Sequence, residues 1–343
     1  MAGLRHRRTR HAYGEVFTAS SIGHDLGAHD TTQGEDPVVR EAAVKALGDV
    51  NGTAVVVDPN SGRILTMVNQ GLALSADYQP CSTTKMAIAL AALDRGVVNE
   101  NTPVKIGRRL AVNMTYALAH SNNAYFEALG EKLGFATVSK YERQFGLGET
   151  AGLNLAGEDP GLYPQEPGPG GVAKLSSFGE GIHISPLQLA AMVSAIANGG
   201  TLYYLQHPAT AEALADFHAT VKRQLNIAGL LPELADGMMA VTRYGTARRA
   251  QLQNLDVFGK TGTCSRNGTR YGLFASYMDK PATQRGKLAI VVVLRGNRAV
   301  YGPRAAQIAG KIYNSLNAEN YFARPHTPAS ALSTAALALP LNR

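Results

Sequence analysis

Apolar positions follow two rhythms along this chain, one of helices and one of strands. A helical spacing starts at Pro37 in VVREAAVKALGDV. From Gly52 the rhythm alternates: TAVVVD and RILTMV flank the turn residues Asp58, Pro59, Asn60, Ser61 and Gly62, which predicts a hairpin. After Pro80 the run STTKMAIALAAL predicts a helix with Ser82 at its start and Gly96 as its stop. Alanine and leucine dominate that helix, so it is expected to be wrapped by other elements. TYALAHSNNAYFEALGEKLG predicts two helical pieces broken at Ser121, Asn122 and Asn123, residues that prefer turns. A further helix, ATVSKYERQF, ends at Gly146. Glycine and proline crowd residues 157–171, a predicted surface loop. ISPLQLAAMVSAIANGG then carries Ser185 as N-cap, Pro186 in the first helical position and Gly199 as stop. Residues 209–242 read as largely helical. From Asp256 the strand rhythm returns in DVFGKTGT, YGLFASYM and KLAIVVVLRG, and PRAAQIAGKIYNSL predicts a closing helix.

The hairpin and the three late strands are expected to join into one sheet. The predicted fold is α/β of the α+β type: an antiparallel five-stranded sheet flanked by helices, with an inserted, mostly helical subdomain. The expected organisation has three parts. Residues 1–36 are polar, lack a sustained period and read as a flexible arm. Residues 37–318 form the domain, with the sheet from 52–70 and 255–296 and the helical subdomain from 80–250. Residues 319–343 are rich in Ala, Pro, Ser and Thr and read as a loose tail.

Composition narrows the function. The chain has 343 residues, 45% hydrophobic and 17% charged, which supports a sizeable core and argues against bulk disorder. Trp is absent and aromatics are 7%, which disfavours an aromatic platform for sugars or single-stranded nucleic acid. The net charge is +7, but Arg5, Arg7, Arg8 and Arg10 fall in the predicted arm and no later stretch is a basic stripe. Nucleic-acid binding is therefore not expected. Two cysteines, Cys81 and Cys264, with no H-E-x-x-H or C-x-x-C, imply neither a metal site nor a cofactor. No apolar run is long enough to span a bilayer. The basic N-terminus lacks an apolar stretch behind it, so it does not read as a signal peptide, and the compartment stays open.

Three short motifs carry chemistry. Ser82 and Lys85 form S-x-x-K at a helix start, where positions three apart share a face. A serine hydroxyl needs a base, and a lysine serves only when neutral. Burial and the positive end of a helix both favour the neutral amine. Ser121 and Asn123 form S-x-N on the break between two helices, placed to point into a cleft or simply to cap. Lys260-Thr261-Gly262-Thr263 lies on a strand; Lys and Thr suit a carboxylate, and Gly262 leaves room for a ligand backbone beside the strand. Each motif alone occurs by chance in many proteins.

Together and in this order they resemble the S-x-x-K, S-D-N and K-T-G signature of class A β-lactamases and penicillin-binding proteins. The flanking text resembles the transpeptidase domain of class B, monofunctional penicillin-binding proteins, from Asn51 to Leu316. AVVVDPNSGRILTMV looks like that family's opening strands and YQPCSTTK like its Y-x-P-G-S-T-x-K segment. ALAHSNNAYFEALGEKLG, YERQFGLGE, GEDPG, ISPLQLAAMVSAIANGGTLY and FGKTGT also have counterparts.

The resemblance implies a serine D,D-transpeptidase that acts on D-Ala-D-Ala stem peptides of peptidoglycan and is acylated by penicillin. Ser82 would be the nucleophile and Lys85 its base. Ser121 would bridge Lys85 and Lys260 in proton delivery, and Asn123 would hold the donor amide. Lys260, Thr261 and Thr263 would bind the terminal carboxylate, with Gly262 beside them in the substrate-binding strand. The N–H groups of Ser82 and Thr263 would form the oxyanion hole. The expected partners are stem peptides, β-lactams and glycosyltransferase or cell-division and elongation proteins, on the extracytoplasmic face of the envelope. The alternatives are a D,D-carboxypeptidase, a β-lactamase, or a sensor or scaffold that binds β-lactams without turnover.

Several positions depart from the family pattern. Cys81 replaces its usual Gly, Cys264 its small residue after K-T-G-T, and Glu180 its Gln in G-Q-G. The interval from Ser82 to Ser121 is short, so loops there are expected to be pruned. Glu149 and Asn154 sit one residue too far apart for the E-x-x-x-N of class A β-lactamases, and His120 and His183 read as caps or surface residues. By the resemblance, Cys81 and Cys264 line opposite sides of one cleft. Two readings follow: unrelated buried thiols, or a bridge with a Cα–Cα distance of ~4.4–6.8 Å.

Overall fold

The computed structural model describes residues 15–99, 101–153, 155–280 and 286–323. Helix α1 (Pro37–Leu47) starts where the Asp36 side chain accepts from the Val38 and Val39 amides. Strands β1 (Gly52–Asp58) and β2 (Arg63–Val68) form the predicted hairpin. A short α2 (Gln70–Leu74) and a 3₁₀ turn over Cys81–Thr84 lead into α3 (Lys85–Asp94). A small hairpin, β3 (Val104–Lys105) and β4 (Ala111–Val112), precedes α4 (Met114–Ala119) and α5 (Asn123–Gln144). Then come α6 (Gly171–Phe178), α7 (Pro186–Ala197), β5 (Thr201–Tyr203), α8 (Ala211–Ala215), β6 (Val221–Gln224) and α9 (Leu231–Arg243). Strands β7 (Asp256–Arg266), β8 (Thr269–Asp279) and β9 (Lys287–Gly296) and the closing α10 (Gly302–Ala318) complete the fold.

The sheet is antiparallel, in the order β2-β1-β9-β8-β7. The two strand clusters meet where β1 pairs with β9, with Val55 opposite Val291. β9 reads LAIVVVL because helices cover both its faces: α10 on one side, α7 on the other. β7 is left at the edge of the sheet, its outer side turned toward the helical insertion. Within the insertion α3 is buried from Lys85 to Leu93, wrapped by α5, α6 and α9.

Some elements differ from the sequence reading. The stretch expected as helical over 209–242 contains β6, which pairs with β5. VKRQ is short and polar, and only its partner strand makes it extended. ATVSKYERQF is, as expected, a helical piece of its own: a non-helical Gly134 at φ 74° kinks α5 and separates it from the piece before. Of the segment read as an arm, residues 15–36 touch the fold: Thr18 N donates to Gly268 O at 2.9 Å, and Glu35 is buried, accepting from Thr66 Oγ1 at 2.7 Å and Met67 N at 2.8 Å. Polar pairing of this kind leaves no hydrophobic period to read. Of the segment read as a tail, Tyr321 and Phe322 are buried, and Tyr321 OH donates to Asp36 at 2.9 Å. Residues 1–14 and 324–343 lie outside the described residues.

Candidate active site

The S-x-x-K motif sits on a tight turn against the sheet edge. Ser82 is in the 3₁₀ turn and Lys85 opens α3, so the side chains share a face. Lys85 Nζ lies 3.1 Å from Ser82 Oγ. Lys85 is completely buried and Ser82 is 7% exposed. The turn is entered through Cys81 at φ 50°, a left-handed conformation that residues with a Cβ disfavour.

The break between α4 and α5 supplies the second group. Ser121 also takes a left-handed φ of 53°, and Asn122 caps α5 by accepting from Tyr125 N. This turns Ser121 and Asn123 inward. Lys85 Nζ donates to Asn123 Oδ1 at 2.6 Å and Ser121 O at 2.9 Å, and lies 3.2 Å from Ser121 Oγ. From the other side Lys260 Nζ lies 2.8 Å from the same hydroxyl and donates to Thr261 O at 3.0 Å. Ser121 Oγ therefore stands between two buried amines, one on α3 and one on β7.

Burial lowers the pKa of Lys85 to about 7, the distant Glu127 charge opposing only weakly. Lys260 is driven well below the ordinary lysine range, by burial first and by the neighbouring Lys85 second. Two ammonium groups this close disfavour one another, so at least one amine is neutral near pH 7 and able to take a proton.

Edge strand β7 keeps strict alternation. Lys260 and Gly262 face the side of Ser121 and the Ser82 turn, whereas Thr261 and Thr263 face the other way. The Thr261 and Thr246 hydroxyls are 2.6 Å apart, and Thr263 Oγ1 accepts from Gly302 N at 2.8 Å. That bond uses one of the two acceptor lone pairs of the hydroxyl and does not use its O–H. Gly262 allows a close approach. A Cβ there would lie 3.2 Å from both Pro80 O and Cys81 Cβ, so the glycine admits the Ser82 turn. Cys81 and Cys264 are disulfide-bonded, with Cα atoms 5.9 Å apart. Of the two readings open from sequence, the bridge is the one present.

Residues 52–314 match the family described as the penicillin binding protein transpeptidase domain. The chain belongs to this family. Among curated relatives, it is 30% identical over 256 residues to the stage V sporulation protein D of Bacillus subtilis (strain 168), covering 62% of this chain and 40% of that protein. It is 25% identical over 363 residues to the peptidoglycan D,D-transpeptidase FtsI of Escherichia coli (strain K12), covering 90% of this chain and 60% of that protein. The chain thus spans between 40% and 60% of the length of these two relatives. Among solved structures, that of Pseudomonas aeruginosa PBP2 in complex with WCK 5153 aligns with TM-score 0.68 at 23% identity, over 84% of this chain and 76% of the other. The D,D-transpeptidase domain of an Eggerthella lenta peptidoglycan glycosyltransferase aligns with TM-score 0.63 at 20% identity, over 83% of this chain and 82% of the other. At these identities the structural likeness is one of fold.

In this transpeptidase-family domain the other sequence candidates fall away from the cluster. Glu149 pairs with Lys222 at 2.9 Å and Arg223 at 3.1 Å. Burial opposes its charge, but these two cations outweigh it and hold the carboxyl ionised. Asn154 lies outside the described residues. His120 is exposed beside Tyr116, and His183 Nδ1 is 3.1 Å from Arg266 Nη1. Among the described residues no three His, Cys, Asp or Glu side chains gather as a metal site.

Two further residues support the site without any sequence signal. Thr246 meets Thr261, and it is held there because Gly245 lets the end of α9 press on Ala119 O. Glu142 is fully buried on α5, accepting from Thr84 Oγ1 and, at 2.5 Å, from Tyr163 OH. It anchors the residue just before Lys85. Burial raises its pKa to about 7, against the two hydrogen bonds.

Proposed function

We propose that this domain is a serine D,D-transpeptidase that cross-links peptidoglycan stem peptides through an acyl-enzyme, and that β-lactams acylate the same serine. The observation that carries the reading is the unbroken chain of contacts Ser82–Lys85–Ser121–Lys260, with neighbouring links of 3.1, 3.2 and 2.8 Å. In the mechanism, neutral Lys85 takes the Ser82 proton as Oγ attacks the carbonyl of the penultimate D-Ala. Ser82 N–H and Thr263 N–H receive the developing oxyanion. Ser121, held between the two amines, passes a proton to the nitrogen of the departing D-Ala. Asn123 holds the donor backbone. Lys260, Thr261 and Thr263 hold its carboxylate, and Gly262 lets the nucleophile turn close on β7. An acceptor amine then takes the acyl group.

The curated relative named peptidoglycan D,D-transpeptidase supports this substrate class. We place the domain on the extracytoplasmic face of the envelope, where stem peptides are cross-linked, with glycan-polymerising or division and elongation proteins as its partners. No helix among the described residues is long and apolar enough to cross a membrane. The test is release of D-Ala from a stem pentapeptide, with and without an acceptor amine. Cross-linked dimer in the presence of the amine supports transpeptidation; release to water alone reduces the activity to a carboxypeptidase.

A further inference from the structure

The Cys81–Cys264 disulfide joins segments 183 residues apart at a notable place. Cys81 directly precedes Ser82, and Cys264 directly follows Thr263. The backbone N–H groups of Ser82 and Thr263 are those given above to the oxyanion hole. The bridge therefore spans the gap that the hole spans. Cys81 holds φ 50°, and its φ and ψ orient the peptide plane that carries the Ser82 N–H. A glycine adopts that conformation freely, whereas a cysteine needs something to hold it there. Gly262 supplies no side chain between the turn and β7, which lets the two cysteines meet.

We propose that the disulfide is a covalent clamp on the oxyanion hole: it keeps Cys81 left-handed and so holds the Ser82 N–H opposite the Thr263 N–H. Cys81 and Cys264 are positioning residues for acylation. The proposal rests on the acyl-transfer reading. Cys81 is fully buried and Cys264 only partly, so an attacking thiol reaches Cys264 first. A dithiol's thiolate bonds to Cys264 Sγ, the S–S bond breaks, and Cys81 leaves as a thiolate that takes a proton. The reagent's second thiolate then closes on its own bound sulfur, releasing Cys264 as a thiol. Two electrons pass from the dithiol to the protein's sulfurs, and the reagent ends as its disulfide. Freed Cys81 relaxes toward negative φ and swings the Ser82 N–H out of line.

The test separates the acylation rate constant for benzylpenicillin from its non-covalent dissociation constant. Four forms are compared: the oxidised protein, the protein reduced with dithiothreitol until both thiols titrate, Cys264→Ser, and Cys81→Gly combined with Cys264→Ser. The expected rate constant falls about tenfold on reduction and in Cys264→Ser, less than the ~10²–10³ of losing a donor outright. The dissociation constant stays put, because Lys260, Thr261 and Asn123 are untouched. The double variant recovers most of the lost rate and ignores dithiothreitol, since glycine needs no clamp. Acylation by reduced protein or Cys264→Ser at the oxidised rate overturns the clamp. So does a double variant as slow as Cys264→Ser. The dithiothreitol arm needs no substitution and so does not depend on how a variant folds. No adduct in any form, oxidised protein included, would instead remove the acyl-transfer reading beneath the clamp.

Discussion

Lys85 Nζ stands 3.1 Å from Ser82 Oγ, on a fully buried side chain at a helix start. An amine with a pKa near 7 in this position is a base only above that pH. The second-order acylation rate is expected to rise about tenfold per pH unit below pH 7 and to flatten above it. Lys85→Ala should lower the rate by ~10²–10⁴ and flatten the profile. Equal rates for Lys85→Ala and the parent would remove Lys85 from the mechanism.

The same depressed pKa is a stability statement. Between pH 7 and the ordinary lysine value of 10.5, the unfolded chain binds the Lys85 proton and the folded one does not. Lys85 therefore contributes stability above that range, which is lost as pH falls toward 7 and stays lost below. Lys85→Met removes the titration. Its melting temperature relative to the parent should rise as pH is lowered from about 9.5 to about 7, then hold constant. A difference that moves the opposite way contradicts the buried, neutral lysine.

Asn123 Oδ1 accepts from Lys85 Nζ at 2.6 Å, a contact that favours the protonated amine. Removing it should lower the Lys85 pKa further. Asn123→Ala is expected to move the midpoint of the pH–rate curve below 7 and to reduce stem-peptide turnover about tenfold, with little change in melting temperature. Turnover and melting falling in step would make the role of Asn123 structural only.

Glu142 reverses the sign. Its folded pKa is raised to about 7 from 4.5, so the folded state binds the extra proton between those values. Its contribution is full below pH 4.5 and is lost as pH rises through 7. The melting temperature of Glu142→Gln relative to the parent should therefore increase from about pH 4.5 to about pH 7 and stay level above. A difference independent of pH would show that Glu142 is ionised throughout.

The candidate site is legible in the chain because each part works over a short stretch. Ser82 and Lys85 meet through helical spacing, Ser121 and Asn123 through a helix break, and Lys260 to Thr263 through strand alternation. The five-stranded sheet is legible for a similar reason: β1, β2, β8 and β9 carry apolar, largely β-branched or aromatic stretches, and β7 opens on Val257 and Phe258. Contacts made only by tertiary packing are not legible. Glu142 reaches Thr84 across 58 residues, and nothing near it in sequence marks a buried carboxyl. Thr246 owes its contact with Thr261 to the close packing of α9 on α4. Gly262 is readable as a close approach, but not which backbone approaches. β6 is extended only because β5 lies beside it. The Cys81–Cys264 bridge is open from sequence for the same reason, since its two halves meet only once the helical insertion closes on the sheet edge.

The claim that Ser82 is the acylated nucleophile is tested most directly by intact-mass spectrometry after incubation with benzylpenicillin. The parent protein should gain the mass of one penicilloyl group. Ser82→Ala, folded by its melting curve, should gain none. A full adduct on Ser82→Ala, or none on the parent, would contradict the account.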